Sequence, residues 1–599
     1  MRVQELKIRN FRNLRNFEIN FDRERINVLL GKNGAAKSNL IEAIATIFSE
    51  IELGVPPSFS YFLRYECNSK PVEIDAGFSR ENSLRVRAGD EAIDYDSFVN
   101  EEAPPQFPDQ ETNEPEEEAD DENGERHRKY SQFYPSNIFI YYSGLSDRLT
   151  KVCSPVKEKY RGALRKINDP RLRRVFLTDG SHSSLILFAF LADSSEWAKK
   201  FLRERLGITS VKSVRLHLSR PLWMDEAVDP ILPGCDYRYW YAGGRVLRTL
   251  RMLQRHSIPL REIAQVEKPK QGRKESDKKE SSTQPELQNL HFYFNALCPP
   301  EALIEKLLTE DGFPLLTEGG GPLLLESAIR PKDLFQQLDD LRLMGYELDI
   351  HFKLEVEGVK EPISFTHLSE GEQQLLTVIG LLYFTKDNDT LFLLDEPDTH
   401  LNPQWSYEYK KMLEEAMQEG GGDSAGSSQI IMATHDPVLI AGLMKASVRI
   451  MERKGRLNGR EAEAPDETEG IISASTPEEN PRGMGIARIL TSPMFGLRSI
   501  LDEDTLNDLE DKRRLAFKKD REPEETEKLK ELVRKLRDVD MTSIIEDPLY
   551  LWFVRAVVRH PDYLRLKDKL FLNTEDFADL DRIAKEVAEE MLQQVEDVE

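Results

Sequence analysis

Cysteine is scarce in this chain of 599 residues. The four present, Cys67, Cys153, Cys235 and Cys298, stand far apart and form no CxxC pair. That spacing excludes a zinc cluster and a disulfide framework, and it fits a reducing cytoplasm. Long apolar runs are missing too, so no membrane span is expected. The opening MRVQELKIRNFRNLRNF alternates like a strand and lacks the uninterrupted apolar core of a signal peptide. Internal repeats and sustained heptads are absent, which leaves no basis for a coiled-coil rod. Positive charge is in deficit: the formal net charge is -25. Bulk attraction to nucleic acid is therefore excluded, although a local basic groove is not, because contact depends on where Lys and Arg cluster. What remains is 39% apolar and 32% charged, the balance of a soluble globular chain with polar insertions and room for a large core.

Two short strands, VQELKI and LRNFEINF, are expected around a turn at Arg9-Asn10. A third, Ile26 to Leu30, ends on Gly31 and leads into a helix from about Lys37, with Leu40, Ile41, Ile44 and Ile47 at helical spacing. The first 150 residues read as one lobe, interrupted at 100–129 by an acidic, Pro-rich segment with little capacity to fold. Residues 151–345 read as a mainly helical insertion, with amphipathic helices at Leu287 to Leu308 and Pro331 to Met344 and a charged linker at 268–284. A second lobe spans 346–455, and a polar linker with a charged helical region fills 456–599.

Four motifs carry chemistry. Gly31-Lys32-Asn33-Gly34-Ala35-Ala36-Lys37-Ser38-Asn39 follows a strand and opens a helix, where backbone N–H groups and the helix dipole surround phosphate. Lys37 would reach the β and γ phosphates and Ser38 would hold Mg²⁺. Ala36 replaces the glycine of GxxxxGK[ST]; alanine tolerates positive φ poorly, so it either adopts a right-handed conformation or strains the loop. Asp395 and Glu396 end the apolar strand LFLL and precede PDTHLNP, suiting metal support and orientation of an attacking water. DE alone would be an acidic turn; the apolar strand before it argues otherwise. Ser369-Glu370-Gly371-Glu372-Gln373 opens a helix. Ser369 and Glu372 form a capping box, which is sufficient structurally, yet the same helix start can grip a γ-phosphate. His435 follows the strand IIMA at a position suited to sensing that phosphate. Each motif is weak by itself, but their order along the chain is the order one nucleotide site requires.

With LKIRNFRNL, GKNGAAKSNLIEAI, LSEGEQQ, DEPDTHLNP and ATHDP in this order, the chain resembles the RecF/SMC-like AAA-family ATPases. It is most similar to those of restriction systems and of anti-phage defence loci of the PtuA-like kind. The resemblance covers roughly residues 1–50 and 346–455. It implies an α/β P-loop NTPase of the ABC/SMC-head type, with a helical insertion between lobes and a helical C-terminal region. It further implies ATP and Mg²⁺ as ligands and a homodimer, or higher oligomer, in which Ser369, Gly371, Glu372 and Gln373 of one head reach the nucleotide of the other. Asn33, Gly34, Ala35, Ala36, Lys37, Ser38 and Asn39 would bind nucleotide, with Arg12 and Asn13 nearby. Asp395 would support the metal, Glu396 would act on water and His435 on the γ-phosphate. Gln132 falls near the position where relatives place a Mg²⁺-assisting glutamine.

The function this implies is ATP-driven switching of a DNA-associated complex, in defence or restriction, with a partner effector that could be a nuclease. Alternatives are a low-turnover scaffold gated by nucleotide and a DNA repair or maintenance ATPase. A nuclease of the TOPRIM type needs an apolar strand ending in an acidic motif and then DxD, and neither follows Ile450. Asp502-Glu503-Asp504 and Glu546-Asp547 read as solvated helix surface. The basic segments Arg161 to Arg174 and Lys268 to Lys279 are candidates for DNA phosphate, set against the readier reading of solvated helix and linker charge.

Overall fold

In the computed structural model the described residues are 1–21, 24–32, 34–79, 84–99, 133–144, 146–165, 173–178, 180–221, 235–255, 257–267, 283–294, 330–385, 389–418, 428–453, 472–518, 520–538, 553, 556–557, 559–566 and 574–596. They fall into two compact units, one comprising 1–29, 36–434 and 453–474 and the other 30–35, 435–452 and 475–599. The acidic segment 100–129, Gln132, Asn33, Lys268 to Lys279 and Glu546-Asp547 lie outside the described residues, as do residues 166–172 of the first basic segment.

The first unit opens with an antiparallel sheet of order β2-β1-β4-β5-β6-β7. Its strands are β1 (Arg2–Phe11), β2 (Leu14–Asn20), β4 (Tyr61–Cys67), β5 (Lys70–Ala76), β6 (Leu84–Ala88) and β7 (Glu91–Asp94). The hairpin turn falls at Arg12-Asn13, with Phe11 opposite Leu14, beyond the turn expected at Arg9-Asn10. Arg12 accepts the left-handed conformation the tight turn needs, at φ 52°.

The central sheet of this unit is parallel, in the order β3 (Ile26–Leu30), β16 (Gln429–Ala433), β15 (Thr390–Asp395), β8 (Asn137–Tyr142) and β9 (Val175–Thr178). Strands β3, β15 and β16 are buried at every position, as expected of parallel strands covered on both faces. Helix α1 (Lys37–Leu53) leaves the end of β3 and buries Leu40, Ile41, Ile44 and Ile47. Helix α1 packs on the longer α3 (Arg148–Arg165) and also meets short α2 (Tyr95–Val99).

Between the lobes the segment expected to be mainly helical is mixed. Helices α4 (Ser183–Leu191), α5 (Glu196–Leu206) and α6 (Gly244–Arg255) alternate with an antiparallel sheet of order β11-β12-β10-β13-β14. Its strands are β10 (Ile208–Ser219), β11 (Ile258–Glu267), β12 (Thr283–Phe294), β13 (Glu347–Val356) and β14 (Ile363–Ser364). The helix expected at Leu287 to Leu308 is therefore a strand through Phe294. Leu287, Leu290 and Phe294 fit helical spacing, but Leu290, Phe292 and Phe294 also alternate, and all three of these are buried. The helix expected at Pro331 to Met344 is present as α7 (Pro331–Leu343). Next come α8 (Glu370–Thr385), which packs on α4, and α9 (Pro403–Gln418).

In the second unit, α10 (Pro437–Ile440) packs on α11 (Ile486–Thr491). Helices α12 (Glu503–Phe517) and α13 (Pro523–Asp538) pair, linked by Lys528–Asp511 at 2.7 Å and Lys535–Asp508 at 2.5 Å. Asp502 caps α12 by accepting from Thr505 N–H at 2.9 Å, so the acidic triplet there is helix-start chemistry. Helices α14 (Pro561–Leu566) and α15 (Thr574–Glu596) close on Leu566, Ile583 and Val587.

Candidate nucleotide site

The phosphate loop follows from close backbone packing. A Cβ on Gly31 would stand 2.3 Å from the carbonyl oxygen of Met451, so only glycine fits. Ala35 N–H closes a turn onto Lys32 C=O at 3.0 Å, and Gly34 lies at φ 85°. Ala36 sits at φ 66° and ψ 20°, left-handed, immediately before α1. Of the two conformations open to it, the strained one is realised.

In the first unit four side chains from opposite ends of the sequence converge. Lys37 is buried; desolvation lowers its pKa, against the opposing pull of Glu396 and Asp395. Asp395, at the end of β15, is also buried, and desolvation raises its pKa while the Ser38 side chain, hydrogen-bonded to it, pulls the other way. Its Oδ1 is enclosed without a hydrogen-bond partner. The hydroxyl and the spare carboxylate oxygen suit a divalent cation, and the ammonium suits the phosphate that would carry it.

Glu396 adopts φ 50°, a left-handed backbone unusual for glutamate. Its N–H donates to Ala433 C=O at 2.9 Å, and its carbonyl accepts from Thr399 Oγ1 at 2.9 Å and Gln374 Nε2 at 3.3 Å. Asn39 donates to Asn13 Oδ1 at 2.5 Å and accepts from Arg148 Nη1 at 2.9 Å, while Arg12 pairs with Glu42 of α1. Arg148 also helps to hold Asp395 ionised.

The capping box forms as expected. Glu372 Oε2 accepts from Ser369 N–H at 2.7 Å and from its Oγ at 2.8 Å, and Glu372 N–H returns to Ser369 Oγ at 3.3 Å. Gln373 Nε2 donates to Leu368 C=O at 2.9 Å. Ser369 and Glu370 are exposed whereas Gly371 is buried, where a Cβ would lie 2.4 Å from His400 C=O. His435 is exposed and begins the second unit's segment, directly before Asp436, which caps α10 through Val438 N–H at 2.8 Å. Arg148 and Ser143, whose Oγ donates to Asp395 C=O at 3.3 Å, lie outside the sequence motifs, and Gln374 ends the LSEGEQQ stretch without a role assigned to it. Gln374 carries a usable signal, since it lies three residues beyond Gly371 on the same helix face.

Residues 1–150 match a family described as "AAA ATPase domain", and residues 248–441 match "AAA domain, putative AbiEii toxin, Type IV TA system". These two stretches carry Lys37 and Ser38, and Asp395 and Glu396, the groups that the fold brings together. Both matched stretches are AAA-type ATPase domains. The chain is similar to the Septu protein PtuA of Bacillus mycoides (strain KBAB4), at 28% identity over 178 residues. That match spans 28% of this ATPase and 21% of PtuA, about a fifth of the relative's length. Among solved structures, the SMC head domain from Thermotoga maritima aligns at 11% identity over 80% of this chain and all of that one, with TM-score 0.28. The recombination mediator RecF aligns at 13% identity over 72% of this chain and 92% of its own, with TM-score 0.23. Among the described residues, no helix is long and apolar enough to cross a membrane, and no cluster of three His, Cys, Asp or Glu could hold a metal by itself.

Proposed function

We propose that this ATPase is a nucleotide-driven switch in a DNA-associated complex, serving anti-phage defence or restriction. Two copies would close head to tail on ATP and reopen after hydrolysis, passing the change to a partner effector, which could be a nuclease. The observation that carries this reading is a contrast within the first unit: Ser369 is exposed at the start of α8, while Lys37 and Asp395 are buried in the P-loop half-site. An exposed serine at a helix N-terminus, its hydroxyl and the helix dipole facing outward, suits the γ-phosphate held by a second copy. The likeness to PtuA supports the defence setting.

In this reading Asn33, Gly34, Ala35, Ala36 and Asn39 surround the phosphates, Lys37 neutralises the β and γ oxygens, and Ser38 and Asp395 hold Mg²⁺. Mg²⁺, when bound, shields the charge that develops on the phosphates. The unpartnered Oδ1 of Asp395 is the observation that fits it to this site. Glu396 takes up a proton from the attacking water or orients it, and His435 contacts the γ-phosphate. Ser369 and Gly371, set by Glu372 and Gln373, complete the neighbouring site. Arg12 and Asn13 brace α1 from the first hairpin.

Glu396→Gln should abolish steady-state hydrolysis while leaving ATP-dependent dimerisation intact, read by phosphate release and light scattering on one sample. Unchanged turnover removes Glu396 from its role. A second reading, a scaffold that turns over slowly, is favoured by the left-handed Ala36. ATPase assays with and without DNA separate the two, because strongly stimulated turnover is incompatible with a scaffold. Direct DNA contact through Arg161 to Arg174 or Lys268 to Lys279 should weaken steeply with salt.

A further inference from the structure

Gln374 is 3% exposed and belongs to none of the four motifs' assigned roles. Its side-chain amide bridges two backbone positions of the loop after β15. Nε2 donates to Glu396 C=O at 3.3 Å, and Oε1 accepts from His400 N–H at 3.1 Å. Only a side chain with a donor at one end and an acceptor at the other satisfies both groups. We propose that Gln374 is a positioning residue for ATP hydrolysis, holding Glu396 in its left-handed backbone and tying that posture to the start of α8. The inference rests on the reading of Glu396 as the group acting on water.

Three observations converge on it. First, Glu396 is held at φ 50°, a conformation that persists only where surrounding groups over-determine it. Its N–H is fixed by Ala433 C=O, and its carbonyl is fixed by Thr399 Oγ1 and Gln374 Nε2. Second, Gly371 lies one turn before Gln374 on the same face, and a Cβ there would stand 2.4 Å from His400 C=O. His400 is thus hydrogen-bonded at its N–H by Gln374 and packed closely at its C=O against Gly371. Third, Glu370 Oε2 lies 3.5 Å from His400 Nδ1 at the surface, beside exposed Ser369. The helix end that would meet a second copy is therefore bound to the loop that presents Glu396. A shift of α8 on engagement is carried through one buried amide to the backbone of the same chain's Glu396. Each protomer's hydrolysis then responds to engagement of its own signature segment, not merely to filling of its own phosphate loop.

The test compares Gln374→Met and Gln374→Glu with Glu396→Gln in the full-length protein, measuring kcat, KM for ATP, affinity for a fluorescent ATP analogue and thermal stability. Gln374→Met removes both hydrogen bonds at similar volume. It should lower kcat about 10- to 100-fold, the range for a misplaced catalytic group, with KM and nucleotide affinity within about threefold of wild type. Gln374→Glu supplies a discriminating readout. Ionised, the new carboxylate can accept from His400 N–H but cannot donate to Glu396 C=O; protonated, it can do both. Its kcat relative to wild type should therefore rise as pH falls, a profile that loose packing alone does not produce. The proposal is overturned if both variants keep kcat within about twofold of wild type while Glu396→Gln is inactive. It is also overturned if kcat and nucleotide affinity fall together with no pH-dependent recovery in Gln374→Glu. Full turnover by Glu396→Gln would instead remove the underlying assignment, and the proposal with it.

Discussion

Ala36 stands in the phosphate loop at φ 66°, the conformation for which the usual motif keeps glycine. A left-handed alanine costs roughly 1–2 kcal/mol, and its methyl, nearly buried, returns about 0.8 kcal/mol at most. The balance favours glycine. Ala36→Gly should therefore stabilise the protein by about 0.5–1 kcal/mol, read as a higher denaturant midpoint, and leave kcat equal or higher. A lower midpoint would mean that the methyl's packing outweighs the strain. The residues proposed to bind and react are legible in the sequence for a physical reason: Lys37, Ser38, Asp395 and Glu396 stand at a strand end or where a loop opens a helix, places that short motifs encode. Arg148 and Ser143 meet tertiary neighbours 109 and 252 residues away, and no local pattern encodes those. Even Ala36 is legible only as a choice between two conformations, since the identity of a residue does not reveal which one its surroundings enforce.

At the scale of elements, α7 carries two adjacent carboxylates into a buried junction with α3, α6 and the turn before α4. Burial alone would raise Asp339, but Arg173, at 2.6 Å, and His182, at 3.5 Å, hold it well below the usual range. Burial pushes Asp340 up to about 7, despite Arg245 at 3.6 Å, with Asp339, Arg173 and Tyr160 also facing it. The two therefore act oppositely with pH. Asp339 supports the fold down into strong acid. Asp340, protonated more tightly folded than unfolded, supports it below its unfolded pKa of about 4 and progressively loses that support as pH rises through about 7. The thermal unfolding midpoint should fall as pH rises from about 4 to about 7 and level off above that, and Asp340→Asn should flatten that slope. An unchanged slope in Asp340→Asn would place the titration elsewhere. The same region shows why elements are less legible than motifs. Helix α7 is strongly periodic, with Leu334, Leu338 and Leu341 buried, and its sequence pattern reads as a helix without help from neighbours. The apolar residues of strand β12 satisfy both periods until β10 supplies the edge that selects the strand, with Leu216 opposite Phe292.

For the whole molecule, the consequential claim is that one active site draws on two chains. A formal charge of -25 per chain opposes pairing, so closure should be easier at moderate salt than at low salt. Complementation isolates the geometry from that background. Lys37→Ala should lose ATP binding in its own phosphate loop, and Ser369→Arg should block the surface offered to the other copy; each alone should be inactive. Mixed in equal amounts, about half the dimers are mixed, and each mixed dimer holds one complete site, Lys37 from the Ser369→Arg chain with Ser369 from the Lys37→Ala chain. Turnover should recover to at most about a quarter of wild type, well above the sum of the separate variants, and it should fall on dilution as dimers dissociate. A site built within a single chain cannot be rescued this way. If phosphate release from the mixture stays at the summed background while both variants remain folded, the two-chain site is wrong, and Ser369 acts only as the cap of α8.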